Sequence, residues 1–200
     1  VTFVPERSTL FLGDITNGSL LWDFESGDTT IPIDKTMACN IVQAVANSNG
    51  ALMVTAGMDH AVRLWEVSGD SFQEKARLLG HTSEVYAVAM ASDDMQFATG
   101  GFDNKVLLWD IEPKQTVTKV SSHFQPCKPS FSKDGQLALL ATGDFPDFRT
   151  RLYDFQTASF LNNEISGYPN GFAEGEKEII LATVTATSLG LAKWNLTKKG

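Results

Sequence analysis

Apolar stretches of about six residues alternate along this chain with short turn-forming groups, and the stretch from Val85 to Ser121 shows the logic most plainly. Val85–Ala91 is an apolar run of strand length, Asp93-Asp94 turns it, and Met95–Gly100 makes a second run. Asp103-Asn104 is a tight turn built from residues that tolerate left-handed backbone angles. From Lys105 to Ile111 the pattern alternates. Val106, Leu108 and Asp110 fall on one face, and Lys105, Leu107, Trp109 and Ile111 on the other. Pro113 breaks this run, and Thr116–Ser121, rich in Thr and Val, reads as a fourth strand. The predicted unit is one sheet of four short antiparallel strands.

The same punctuation recurs. Turns between first and second strands are predicted at Ser48-Asn49-Gly50, Asp93-Asp94, Lys133-Asp134-Gly135 and Glu174-Gly175-Glu176. Turns between third and fourth strands fall at Ser26-Gly27-Asp28, Ser68-Gly69-Asp70 and Glu112-Pro113. The segment itself is also copied. Ala98-Thr99-Gly100-Gly101-Phe102-Asp103-Asn104-Lys105-Val106-Leu107-Leu108-Trp109-Asp110 matches Val54-Thr55-Ala56-Gly57-Met58-Asp59-His60-Ala61-Val62-Arg63-Leu64-Trp65-Glu66. Looser copies end at Trp22-Asp23, Tyr153-Asp154 and Trp194-Asn195. The aromatic anchors stand about 41–44 residues apart, a period that marks a propeller-type repeat. One four-stranded sheet cannot shield both of its faces. Stacking successive sheets face to face buries the apolar surface and leaves only short edges, so the repeat must be multiple.

The residues Gly80-His81, Thr99, Asp103 and Trp109-Asp110 resemble those of the WD-repeat β-propeller family, and the resemblance covers essentially the whole chain. It implies an all-β propeller of four-stranded antiparallel blades. It also implies a hydrogen-bond relay through His81, Thr99, Asp103 and Trp109. His81 lies on the loop entering its repeat and Asp103 in the turn between its second and third strands. Both loops emerge at one end of the sheet, because the first strand starts where the second finishes. A buried carboxylate is costly without donors around it, so the His–Asp pair is read as structural rather than catalytic. Asp94, at the opposite end, is expected to be nearly neutral to replacement.

Other repeats depart from the pattern. Met37-Ala38-Cys39-Asn40 stands where the second repeat would carry Gly-His, although Thr55, Asp59 and Trp65 are kept. The fourth has His123 without a preceding Gly, Asp147 at the turn, and Tyr153 in place of Trp. The fifth has Thr185-Ala186-Thr187-Ser188 where the turn Asp belongs. These repeats are expected to lean on apolar packing. The repeats run approximately over 1–36, 37–80, 81–122, 123–166 and 167–200, abutting as one domain. Five repeats fall short of the roughly 300 residues of a seven-bladed ring, so the chain is expected to be part of a larger one.

Composition narrows the partners. The chain has 200 residues and a formal net charge of −8. Direct nucleic-acid binding is disfavoured, since it draws on clustered Lys and Arg, and the small cluster Lys193, Lys198, Lys199 reads as a solvated tail. Cys39 and Cys127 are too few for a disulfide framework. No membrane span or signal pattern is evident. Asn17-Gly18-Ser19 and Asn195-Leu196-Thr197 are explained as a turn and a repeat position rather than as glycosylation sites. A cytoplasmic or nuclear location is expected.

No phosphate loop, nucleophile elbow, zinc-spaced cluster or calcium loop is present. No catalytic residue, metal or cofactor is therefore assigned. The expected function is a non-catalytic scaffold that binds proteins or peptides, within a multiprotein complex, on the loop-bearing end. Residues flanking the relay positions line that end: Glu84, Tyr86 and Phe102 in the third repeat, and Asn40, Val42 and Met58 in the second. The two phenylalanines of Phe145-Pro146-Asp147-Phe148 either form an adhesive tip or cap their own blade. Two alternatives stay open: an enzyme with a metal in its central channel, and a subunit of a ribonucleoprotein or chromatin complex without direct nucleic-acid contact.

Overall fold

The computed structural model describes residues 1–14, 18–33, 41–112, 116–121, 129–132, 134, 136–142, 149–154, 157, 159–172, 178–184 and 189–195. They form successive antiparallel sheets. The first holds β1 (Thr2–Val4), β2 (Thr9–Asp14), β3 (Gly18–Asp23) and β4 (Thr29–Thr30). The second holds β5 (Ile41–Ala46), β6 (Leu52–Gly57), β7 (Val62–Ser68) and β8 (Ser71–Leu78). The third holds β9 (Val85–Met90), β10 (Gln96–Gly101), β11 (Lys105–Asp110) and β12 (Thr116–Ser121). In the fourth are β13 (Ser130–Phe131), β14 (Leu137–Thr142), β15 (Arg149–Asp154) and β16 (Ser159–Ser166). The last described sheet has β17 (Tyr168–Phe172), β18 (Glu178–Val184) and β19 (Leu189–Asn195). Within every sheet the strands lie side by side in chain order. These sheets are the blades of a propeller.

Turn chemistry explains the hairpins. Asp94 and Asn104 take positive φ of 58° and 59°, and Gly27, Gly50 and Gly69 take 81°, 68° and 59°. Short polar side chains and glycine tolerate this left-handed region, which the sharp reversal requires. His60 holds the place of Asn104 in the second blade and also has a positive φ of 65°.

Packing follows the repeat. Successive sheets pack face to face, so a sheet between two others presents one face to the preceding blade and the other to the following one. Leu107, Trp109 and Ile111 join Val54, Val62 and Leu64 of the second blade. From the same strand, Val106 and Leu108 join Ala138, Leu140 and Tyr153 of the fourth. Four successive residues of β11 are therefore all buried. Stacking buries both faces of a central blade, so its strands read as nearly continuous apolar runs rather than as a clean inside–outside alternation. Polar ties cross the same gaps. The Val88 N–H donates to Gln43 Oε1 at 3.1 Å, and Arg7 donates to the Gly69 carbonyl at 2.5 Å.

Several sequence expectations fall outside the described residues: Asn40, the cysteines, His123, the Phe145–Phe148 loop, residues 185–188 and the terminal lysines.

Candidate binding face and its hydrogen-bond relay

The entering loop and the second turn of the third blade meet at one end of the sheet. His81 Nδ1 lies 2.9 Å from Asp103 Oδ1, and His81 Nε2 lies 2.8 Å from Thr99 Oγ1. Trp109 Nε1–H donates to Thr99 Oγ1 at 2.8 Å. The Asp103 carboxylate also accepts the backbone N–H of Thr82 at 2.9 Å and that of Lys105 at 3.2 Å. The hydrogens can run in one direction through this chain. The indole donates to the threonine oxygen, the threonine hydroxyl to His81 Nε2, and His81 Nδ1–H to the carboxylate. That order requires a neutral imidazole protonated at Nδ1. A second proton on the ring would make Nε2 a donor and leave the Thr99 hydroxyl without its acceptor.

The electrostatics agree. Burial holds His81 below its ordinary value, against the upward pull of Asp103. For Asp103, burial is the largest single influence and pushes upward, but the Thr82 N–H, His81 and Lys105 together hold the carboxyl low. Both groups then oppose acid. Near pH 6.5 the unfolded chain takes up a proton that folded His81 resists. The stability from neutral His81 is complete above about pH 6.5 and is lost as pH falls toward the lower folded value. Asp103 adds stability that is present above its ordinary value of about 3.9 and lost as pH falls further. The urea midpoint is therefore expected to decline from about pH 7 to about pH 5. His81→Gln should flatten that decline, and an unchanged slope would exclude His81 as its source.

Two glycines make room for this arrangement. A Cβ on Gly101 would stand 2.6 Å from His81 Nδ1 and 2.9 Å from Asp103 Oδ1. A Cβ on Gly80 would stand 2.8 Å from Leu107 Cδ1 and 3.2 Å from Trp109 Cη2. The glycine before His81 is thus a packing requirement of the tryptophan below it.

The second blade solves the same problem differently. Trp65 Nε1–H donates to Thr55 Oγ1 at 2.9 Å, as in the third blade. Asp59, however, is held by the buried Arg63, whose two terminal nitrogens lie 2.5 and 3.2 Å from the carboxylate oxygens. Arg77 stands 3.7 Å away and Glu74 lies 3.4 Å from Arg63 Nε. Burial pushes the Asp59 carboxyl upward, but Arg63 outweighs it and holds the group low. A fork-shaped guanidinium satisfies this part-buried carboxylate in place of a histidine loop. The blade therefore does not depend on apolar packing alone. The signal was present in the sequence: Arg63 stands where the third repeat has Leu107, two residues before the tryptophan.

Around the relay, Tyr86 and Phe102 come together with ring centroids 4.1 Å apart at an angle of 46°. Phe102 remains 37% exposed. The Phe102 N–H donates to the Glu84 carbonyl at 2.9 Å, which fixes the aromatic pair beside that residue. The Ser83 hydroxyl donates to the Glu84 carboxylate and is the main reason its carboxyl stays low, with His60 adding a smaller electrostatic pull. Val42 and Met58 are half-buried.

The opposite end corrects one expectation. Asp94 accepts the Ser48 N–H at 2.9 and 3.1 Å and also its hydroxyl. It ties the first turn of the third blade to that of the second and is not a bystander.

Among the described residues, no group of three or more His, Cys, Asp or Glu could hold a metal ion, and no helix is long and apolar enough to cross a membrane.

Comparisons with known proteins fit this architecture. The sequence model of the family described as "WD domain, G-beta repeat" matches residues 36–66 and 72–110. The chain is 44% identical over 59 residues to Protein lethal(2)denticleless of Drosophila melanogaster, a match covering 29% of this chain and 8% of that protein. It is 35% identical over 78 residues to the Ribosome biogenesis protein WDR12 homolog of Chlamydomonas reinhardtii, covering 36% of this chain and 18% of that protein. These matches span less than a fifth of either relative. The crystal structure of RRP9 WD40 repeats superposes with a TM-score of 0.72 at 17% identity, covering 99% of this chain and 60% of that one. The repeat spacing, the four-stranded sheets, the two matched repeats and the shared fold lead to one conclusion: this chain carries WD repeats, matched over 36–66 and 72–110, within a β-propeller fold.

Proposed function

We propose that this chain is a non-catalytic interaction scaffold, and that partner proteins or peptides bind the end bearing the His81 loop and the Asp103 turn. The observation that carries this reading is the Tyr86–Phe102 pair, 4.1 Å apart and partly open to solvent beside Glu84. Aromatic side chains with a charged neighbour supply large contact area at low entropic cost, which is the composition of a binding hot spot. The relay beneath them gives the pair a rigid base, so little ordering cost is left for binding. Met58 and Val42 extend the surface across the second blade. One relative is named for ribosome biogenesis, which suits a subunit of a multiprotein assembly in the nucleus or cytoplasm. Binding through protein contacts suits the net charge of −8, which does not favour phosphate backbones.

The test is a paired substitution. Tyr86→Ala with Phe102→Ala should keep the circular dichroism spectrum and thermal midpoint close to those of the unchanged protein. Partners identified by mass spectrometry with the unchanged protein should be lost with the double variant. They should be kept with Met95→Ser, an exposed residue in the turn at the opposite end. Undiminished recovery with the double variant would remove this surface from consideration.

A further inference from the structure

Resting on the reading that partners dock at this end, we infer that Glu84, Tyr86 and Phe102 together receive an arginine side chain of the partner, which therefore presents a basic segment. The backbone brings the three residues together. Glu84 stands just before β9 and Tyr86 two residues on, within it, and side chains at that spacing share one face of a strand. Phe102 follows the end of β10 and is fixed to the same place by the bond from its N–H to the Glu84 carbonyl at 2.9 Å. The two rings meet at 46° with centroids 4.1 Å apart, so they do not eclipse one another, and Phe102 keeps 37% exposure.

The charges around the rings single out Glu84. Asp103 is engaged by His81 at 2.9 Å and by Lys105 at 3.6 Å. Asp59 is engaged by Arg63 and, at 3.7 Å, by Arg77. Glu84 forms no ion pair among the described residues. Its carboxylate accepts the Ser83 hydroxyl, which sets its direction and keeps it ionised, and His60 adds only a smaller electrostatic pull.

An open aromatic surface beside an ionised carboxylate suits an organic cation. The face of a ring attracts a positive charge standing within about 6 Å of its centroid. A guanidinium meets both groups at once, because its plane lies on a ring while its fork of N–H donors reaches the carboxylate. An ammonium is more strongly hydrated and gives up more water to reach the same ring. Neutral or acidic side chains satisfy one group at most. The net charge of −8 draws basic segments toward the chain and disfavours acidic ones. The Ser83 hydroxyl and the Phe102 N–H set the geometry before any partner arrives.

The test titrates the isotopically labelled protein with end-blocked tripeptides carrying arginine, citrulline or lysine between two glycines, followed by NMR. Citrulline keeps the shape of arginine and lacks its charge. The arginine peptide should shift the amide signals of Glu84, Tyr86 and Phe102 in a saturable way. The citrulline peptide should bind about fivefold more weakly or less, and lysine should fall between the two. Glu84→Gln should reduce arginine binding to the level of citrulline. Equal binding of arginine and citrulline, a preference for lysine, shifts confined to other residues, or no saturable shift would each overturn the inference. Its failure is separable from that of the docking reading. Protein partners that are lost with the Tyr86→Ala, Phe102→Ala double variant but kept at full recovery with Glu84→Gln would leave the face as a binding surface and remove the arginine from it.

Discussion

Trp109→Ala should lower the stability of the protein by about 3–5 kcal/mol, comparable to the whole stability of a marginal domain. The side chain sits in the seam between the second and third blades. It lies near-parallel to Phe97 at 6.0 Å, covers Gly80 and donates its indole N–H to Thr99. Truncation removes the apolar contact, opens a cavity in a seam whose two walls are rigid sheets, and withdraws a donor from the relay. Sheets held by their own ladders cannot collapse into such a gap, which places the cost at the high end for a large-to-small change. Trp109→Phe keeps most of the ring and loses the N–H, so its cost should be smaller by several kcal/mol. Urea titrations followed by circular dichroism read both midpoints. Equal shifts for Ala and Phe would mean that the hydrogen bond, and not the filled seam, carries the tryptophan's contribution.

Asp103→Ala is expected to cost about 1–3 kcal/mol, because the buried His81 Nδ1–H and the N–H groups of Thr82 and Lys105 lose their acceptor. The relay predicts a further property. Thr99→Val breaks the same chain of donors, so the double variant should lose less than the sum of the two single losses. Additive losses would show that the two groups act independently. Asp94→Ala serves as a comparison at the other end. Its link to Ser48 is exposed to water, so its cost should be about 0.5–1.5 kcal/mol rather than zero, and it should add fully to Asp103→Ala.

Much of the third blade was legible in its residues. The fourth strand falls at Thr116–Ser121 in both readings, and the turns at Asp94 and Asn104 have the left-handed angles their side chains permit. The four relay groups could be named because the resemblance to WD repeats implies them at His81, Thr99, Asp103 and Trp109. The pairing of Asp59 with Arg63 was not read from the sequence. The strand pattern places Arg63 on a face but does not say that the face is buried, nor that Asp59 lies within reach of its guanidinium. The link from Asp94 to Ser48 was missed for a related reason. The two residues are 46 positions apart, and only the stacking of neighbouring blades brings their turns together.

The sequence by itself determined the strand spacing, the turns and the repeat, because these depend on residues a few positions apart and on backbone angles that each side chain allows. The tertiary structure decided which faces are dry, which carboxylate takes which cation, and which turns meet across a seam. Those outcomes depend on what the neighbouring sheet presents across the seam, and a repeat unit does not carry that information within its own residues.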